Sequence, residues 1–561
     1  MFRNKIIVAL LVLIASVANA QKDSIVNTGD ETVIVVKDYV PTLIDANKIS
    51  DAPSADTTSI FTPVFKYDVD VKKYNTVFTS TPIKPVRIKD DNIKKLYRGF
   101  IKGGYGTHNT PYAEVFYNAL RSKEFNAGFH YRHLSSMGKI KNYGDTDNSN
   151  NGFSLFGKKF IDAGILSAEL DFERNVFHYY GFDRREIIFS KRETKQRFAD
   201  IAGKIDFTNN NTDKNNWDFG LGLGFNNYTA KRHADKTSET GFNLNGNLGK
   251  YFNENYANLN LNVEYNKTEQ PDGIYQSGDF PNPVNNLVFR LHPRYKIKVY
   301  DFDLTVGVNF EAESVEESKM HLYPFAEARY KVAQDVLSVY GSVSGGVIKN
   351  SYKSITSENP FTTNFIFPGN SNNKLEFKAG TDIKLDKEIS FNGYISFSRV
   401  TDKLFFYNIP REGAEYVTFI NLYDDADVLK LHGGLQFLQS DKMQLGLYAT
   451  YQNIKPDEFA KPWYLPTVTT GLTGNYTMQD KIIVKADLFF NGSQFAPDEA
   501  GEKEFVKLDG WIDANLCVEY RHSKLLSVFA QVNNIASQQY FRWYNYPSYR
   551  FSTMGGFTYS F

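Results

Sequence analysis

The chain has 561 residues, with 64 basic and 64 acidic side chains and no formal net charge at pH 7. That balance offers no cationic surface to nucleic acid. Mean hydropathy is -0.42, and after the N-terminus no apolar run approaches the ~20 residues a spanning helix needs, which argues against a helical membrane protein. The aromatic content, 46 Phe and 36 Tyr with 4 Trp, suits β-structure and interfacial girdles.

Residues 1–20 read as a secretory signal. Arg3 and Lys5 form the charged start, Ile6 to Val17 the apolar core, and Ala18-Asn19-Ala20 a cleavage site that leaves Gln21 at the mature N-terminus. The single cysteine, Cys517, rules out an intrachain disulfide framework. No cysteine follows the signal, so a lipid anchor there is not expected. An exported, Tyr-rich chain nearly free of cysteine points to an outer membrane.

Residues 21–95 do not alternate. Pro41, Pro53, Pro63, Pro82 and Pro85 stand among Asp, Ser, Thr and Lys, so this part is expected to be an extended periplasmic or lumenal segment. One island is β-prone: Glu31, Thr32, Val33, Ile34, Val35 and Val36. It suits addition to a partner's sheet edge or packing on the chain's own barrel.

From Tyr97 the apolar period becomes two. Ala257, Leu259, Leu261, Val263 and Tyr265 alternate with Asn258, Asn260, Asn262, Glu264 and Asn266, and Ile482, Val484, Ala486 and Leu488 alternate with Lys481, Lys485 and Asp487. Such segments have one greasy and one polar face. A soluble sandwich also alternates, but here the connections are sorted by length. Short turns fall at Ser122-Lys123, Asp162-Ala163, Tyr300-Asp301, Gln334-Asp335, Asp386-Lys387, Asp441-Lys442, Gln479-Asp480 and Ser523-Lys524, and most of the connections between them are long and rich in aromatic residues. The expected fold over residues 96–561 is therefore an all-β, transmembrane antiparallel barrel of about 22 strands, with short periplasmic turns and long extracellular loops. Leu404 to Asp427 is the ambiguous connection, and its apolar parts suit an extra hairpin or extensions of neighbouring strands.

The chain ends on two alternating segments. In the first, Leu526, Val528, Ala530 and Val532 share a face and Phe529 breaks the rule. In the second, Phe551, Phe557, Tyr559 and Phe561 alternate with Ser552, Thr558 and Ser560. The second is expected to close the barrel against Tyr97 to Gly106, with Phe561 read by the outer-membrane assembly machinery.

Val532-Asn533-Asn534-Ile535, Tyr540, then Tyr546-Pro547-Ser548-Tyr549-Arg550 and the closing strand resemble the end of TonB-dependent outer-membrane receptors, although proline and arginine stand one residue further apart than in that family. Glu31 to Val36 is similar to the family's TonB box. The resemblance implies a 22-strand barrel working with TonB in uptake. It departs in one respect: residues 21–95 are too few for the family's globular plug and lack its motifs. The chain thus resembles a plug-less receptor-like barrel of the Bacteroidota type.

Little else carries chemistry. His130 and Arg132 share polar parity with Asn126 and read as lumen wall. Asp145 to Asn150 begins like a calcium loop but lacks the glycine and glutamate of one. Gly220, Gly222 and Gly224 alternate with Phe219, Leu221 and Leu223 and read as lumen-facing, as does Cys517. No cofactor or metal site is expected, and no nucleophile with a nearby base is found, so the chain is not expected to be an enzyme. The candidate ligand or partner surface is aromatic loop material: Tyr540, Phe541, Trp543, Tyr544, Tyr546 and Tyr549 in the final loop, with Phe361, Phe365, Phe367, Tyr407, Tyr416 and Tyr423 elsewhere. An aromatic girdle at the lipid boundary is expected to account for at least half of them. Expected partners are outer-membrane lipid, the assembly machinery, and TonB or a periplasmic or lipoprotein partner. The functional alternatives to uptake are an assembly scaffold, an adhesin or an integral enzyme. A barrel this wide without a plug needs its N-terminal segment, its loops or a partner to fill it.

Overall fold

The computed structural model describes residues 97–561, apart from 120–121, 212, 234, 272–281, 316, 365, 412–413, 440–441 and 499–503. The signal, residues 21–95 and the Glu31 to Val36 stretch lie outside the described residues, as does Phe365.

Twenty-two strands form one antiparallel sheet that closes on itself. The first strand, Gly99–Gly106, pairs on one side with Thr110–Asn118 and on the other with the last strand, Ser552–Ser560. Ile101 faces Tyr559 and Gly103 faces Phe557 across that seam, as the alternation of the closing segment predicts. The carbonyl of Phe561 accepts from the N–H groups of Arg98 (2.6 Å) and Gly99 (3.2 Å). Its ring stacks on Tyr117 at 6.5 Å. Closure gives every strand of the described barrel wall a partner on both sides, which a hydrocarbon environment demands.

The two faces sort by polarity. Ile201, Ile205, Leu221 and Leu223 point outward and are each about half exposed, which is tolerable only against lipid. The side chains of Gly220 and Gly222 are missing where Asn247 and Asp206 crowd the lumen face: a Cβ there would meet Asn247 Oδ1 at 2.3 Å and Asp206 Oδ1 at 2.5 Å. The lumen wall also holds buried carboxylates in satisfied networks. Glu114 accepts from the Tyr112 hydroxyl at 2.7 Å and pairs with His130 at 2.9 Å. Glu311 meets His292 at 2.8 Å and accepts from the Val347 N–H at 2.7 Å.

Chain direction places the short turns on one rim. Several force non-glycine residues into the left-handed region: Asn253 (φ 56), Tyr300 (φ 51), Asp335 (φ 61), Gln479 (φ 49) and Asp480 (φ 56). The opposite rim carries the long connections, but also four short ones at 107–109, 233–234, 315–317 and 412–413.

Leu404 to Asp427 takes the second of its two forms, extensions of the neighbouring strands. Ile389–Arg411 and Ala414–Gln439 are paired strands of 23 and 26 residues. At about 3.4 Å per residue they greatly exceed the 9–11 residues a tilted strand needs to span, so the hairpin projects above the membrane. Leu508 has the parity of Ile512 and Ala514, which by alternation alone is that of the lipid face, yet it is buried among the extracellular loops. The alternation breaks at Asp509-Gly510, and Phe505–Leu508 pairs with Gln494–Pro497 in a separate small sheet.

Candidate functional site

Among the described residues, the connections at 179–194, 351–368, 457–467, 492–510 and 534–551 fold onto one another and onto nearby strand ends, building a hydrophobic core at the extracellular rim. Its parts come from stretches far apart in the chain.

The connection at residues 351–368 supplies an inward-folded helix, Tyr352–Glu358. Ser351 caps it, accepting from the Ser354 N–H at 3.1 Å. The first turn is also held by the wall. Glu239, fully buried on the strand Asp235–Phe252, accepts from the backbone N–H groups of Tyr352 (2.7 Å) and Lys353 (3.3 Å) and from the Thr268 hydroxyl (3.1 Å). A carboxylate there satisfies donors that a helix start leaves orphaned. The Lys353 ammonium reaches Asp200 at 2.6 Å, and the hydroxyls of Tyr228 and Thr356 lie 2.8 Å apart. Tyr352 and Ile355, three residues apart, pack their buried faces into the core. A cavity of about 200 Å³ remains beneath the helix, bordered by Phe177, Phe198, Asp200 and Tyr228.

The rest of that connection is tied down by strand ends and other loops. Tyr179 donates its hydroxyl to the Thr362 carbonyl at 2.6 Å. Arg232 donates to Thr362 and Asn364, both at 3.1 Å. Asn421 and Tyr423 donate to the Phe367 carbonyl at 2.8 and 2.7 Å.

The final loop completes the core. Trp543 is buried against Phe406, Phe419 and Tyr464, with centroids 5.1, 5.4 and 5.1 Å away. Tyr546 stacks on Phe361 at 3.8 Å, meets Tyr180 edge-on at 4.9 Å and donates its hydroxyl to the Val417 carbonyl at 2.6 Å. Tyr540 stacks on Trp511 at 4.2 Å and donates to Asp513 at 2.9 Å. Tyr549 stacks on His108 at 4.6 Å and donates to the Thr146 carbonyl at 3.0 Å. Phe541 and Tyr544 pack at the edge of the core.

Of the aromatic residues singled out in sequence, Phe361, Phe541, Trp543, Tyr544 and Tyr546 are brought together as mutual packing partners, while Tyr540 and Tyr549 pack apart from them, on Trp511 and His108. Trp543 and Tyr546 are buried, and Tyr540, Phe541, Tyr544 and Tyr549 are half-buried. Tyr407 also packs against the core, while the side chain of Tyr416 lies outside the described residues. Burial pushes the hydroxyls of Tyr180 and Tyr464 above the usual range. At Tyr540 burial does the same and the adjacent Asp513 carboxylate adds to it. The acidic stretch that begins like a calcium loop is committed to basic partners, Asp145 to Arg184 at 3.1 Å and Asp147 to Lys191 at 2.5 Å. Exposed Asp183, hydrogen-bonded by Arg185, is held down at about 2.

Sequence reasoning missed Glu239, Asp200 and Lys353, which anchor the inward helix. The available signal was Ser351 ahead of Tyr352 and Ile355, a capping residue followed by apolar residues at helical spacing.

A closed 22-strand barrel with an apolar outer belt, a polar lumen wall and loops folded over one rim defines an integral protein of a Gram-negative outer membrane. No family model matches the sequence, and neither does any curated protein. Solved structures do match in fold. The siderophore receptor PirA from Acinetobacter baumannii superposes with a TM-score of 0.64 at 12% identity, covering 84% of this chain and 81% of that one. The FrpB iron transporter from Neisseria meningitidis gives 0.64 at 11% identity, covering 83% and 82%. The ferric-catecholate import receptor Fiu from E. coli K12 gives 0.61 at 12% identity, covering 83% and 82%. Identity this low shows the shared barrel fold alone.

Proposed function

We propose that this chain works in substrate uptake across the outer membrane, as a barrel of TonB-dependent-receptor type without a globular plug. The observation that carries this reading is the extracellular loop core. It closes over a wide, polar-walled lumen, as a gate for solute entry would. The proteins it superposes with are described as a siderophore receptor, an iron transporter and a ferric-catecholate import receptor, which supports transport over catalysis. In this reading the chain is not an enzyme. Glu31 to Val36 contacts TonB, and Phe561 is read by the assembly machinery. The final loop, Tyr540 to Tyr549, meets the ligand or partner from outside.

A second reading has its own support. The loops interlock through stacked rings and buried hydrogen bonds, which also suits a closed scaffold in an envelope complex. Planar-bilayer recordings and a pull-down from native membranes separate the two. Uptake predicts TonB among the captured partners, and a growth or accumulation defect when Glu31 to Val36 are deleted. A persistently closed barrel that captures only a lipoprotein or periplasmic partner, with no defect on that deletion, would overturn uptake in favour of the scaffold.

A further inference from the structure

The outer wall of the barrel is not uniformly convex. An apolar groove of about 920 Å³ crosses its lipid-facing side between Phe125–Ser136 and Asn255–Glu269, a volume within the ~300–1,000 Å³ of small-molecule sites. Its floor is made by small outward-facing residues on four successive strands: Ala127, Gly157, Ala168 and Gly203. Ala127 pairs with Gly157, and Gly157 with Ala168, so three of them form one row across the sheet. Leu170, Phe225 and Phe242 rise as walls.

Backbone packing does not require the glycines. A Cβ on Gly157 would meet nothing nearer than 3.7 Å, and one on Gly203 nothing nearer than 3.9 Å. The space in front of them is therefore free, unlike that at Gly128, where a Cβ would lie 2.4 Å from a carbonyl oxygen.

A cation stands just beyond the groove floor. Lys159 shares the outward face with Gly157, two residues nearer the periplasmic turn, and is exposed. It stands in register between Phe125 and Leu166, both exposed apolar residues. Two residues along a strand is about 7 Å, within reach of an extended lysine. A cation at the interface beside an apolar trough is complementary to one kind of occupant, an amphiphile with an anionic head and a hydrocarbon tail. The groove floor lies in the periplasmic half of its strands: Gly157 is four residues from the end of Asn148–Ile161 and Ala168 four from the start of Gly164–His178. That places the head at the periplasmic leaflet.

We propose that this groove is a binding site for one phospholipid of the periplasmic leaflet, with an acyl chain lying over Ala127, Gly157, Ala168 and Gly203 and the phosphate held by Lys159. The site is independent of what the lumen carries.

The test is native mass spectrometry of the full-length barrel in mild detergent, titrated with phosphatidylglycerol and with phosphatidylethanolamine. The native chain should retain one phospholipid per barrel, saturably, after detergent exchange. Filling the groove with Gly157→Phe plus Gly203→Phe should lower retention at least tenfold, and Lys159→Gln several-fold. Heat-modifiable gel mobility checks that each variant still forms a barrel. Unchanged retention in the filled variant would overturn the proposal. So would retention of lipopolysaccharide in place of phospholipid, or loss from the filled variant of a co-purifying protein with no change in lipid.

Discussion

The ring of Phe529 occupies the space in front of Gly556. A Cβ on that glycine would stand 2.2 Å from the Gly103 carbonyl oxygen and 2.6 Å from ring atoms Cε1 and Cζ, and one on Gly104 would meet Cζ of the ring first, at 3.1 Å. Gly104 and Gly556 face each other across the seam between the first and last strands. The Lys102 ammonium lies 4.5 Å from the same ring centroid. The residue that breaks the alternation of its strand is therefore a lumen-side aromatic cover over the closing joint, and two glycines make room for it. Gly104→Val should destabilise the barrel by about 1–3 kcal/mol through overpacking against that ring. Adding Phe529→Ala should recover part of that loss. Urea midpoints of folding into vesicles measure both, and additive effects would sink the account.

The assignment of faces makes a paired prediction. Leu261 shares the lipid face with Leu259, while Asn260 faces the lumen and lies opposite His292. Leu261→Arg should cost about 2–4 kcal/mol near the midplane, and Asn260→Arg much less. Equal costs in the same folding assay would reverse the reading.

The loop core should be a separable cooperative unit. Phe361 stacks on Tyr546 at 3.8 Å and also meets Tyr180. Phe361→Ala should weaken that core by about 3–5 kcal/mol. Hydrogen exchange should then rise across residues 351–368 and 540–549, with the membrane strands unchanged. Channel recordings should show larger or more frequent openings.

Glu239 is the wall's hold on the inward helix. Its replacement by alanine leaves the Tyr352 and Lys353 N–H groups buried without their acceptor, at about 1–3 kcal/mol. The expected signature is loss of protection confined to the helix Tyr352–Glu358 and faster protease cleavage there. Protection equal to that of the native chain would remove Glu239 from the anchoring role.

The buried tyrosines set an alkaline limit. Tyr180 and Tyr464, both packed in the loop core, have folded values raised above the ordinary 10.0 by burial. A raised folded value means that their contribution is fully present below pH about 10 and is lost as pH rises through the folded value. Tyrosinate absorbance should therefore show these groups silent past pH 10 and then ionising together as the loop core opens. Gradual ionisation from pH 10, with exchange protection intact, would contradict their burial.

Much of this molecule is legible in its sequence because a strand's period of two is a local property. Leu259 and Leu261 against Asn258 and Asn260 identify a wall between lipid and water without reference to any other strand. Phe557, Tyr559 and Phe561 identify the closing strand in the same way. The parity of Gly220 and Gly222 places them in the lumen, where the structure has them. Short turns such as Gln479-Asp480 mark one rim, and counting between them yields the strand number.

The loops obey no such period, and there the local reading ran out. Nothing near Trp543 says that it will meet Phe406, Phe419 and Tyr464, or that Tyr546 will stack on Phe361 across the rim. Those contacts depend on which strand ends the barrel brings close together. Leu508 shows the same limit, since its parity fits the lipid face yet a break at Gly510 turns it into the loop core. The sequence alone determined the wall, its two faces and its seam, because backbone geometry alternates side chains residue by residue. Tertiary structure alone decided that the aromatic loops pack on one another over the mouth, and that the outer wall has a groove, because both depend on residues far apart in the chain being set side by side.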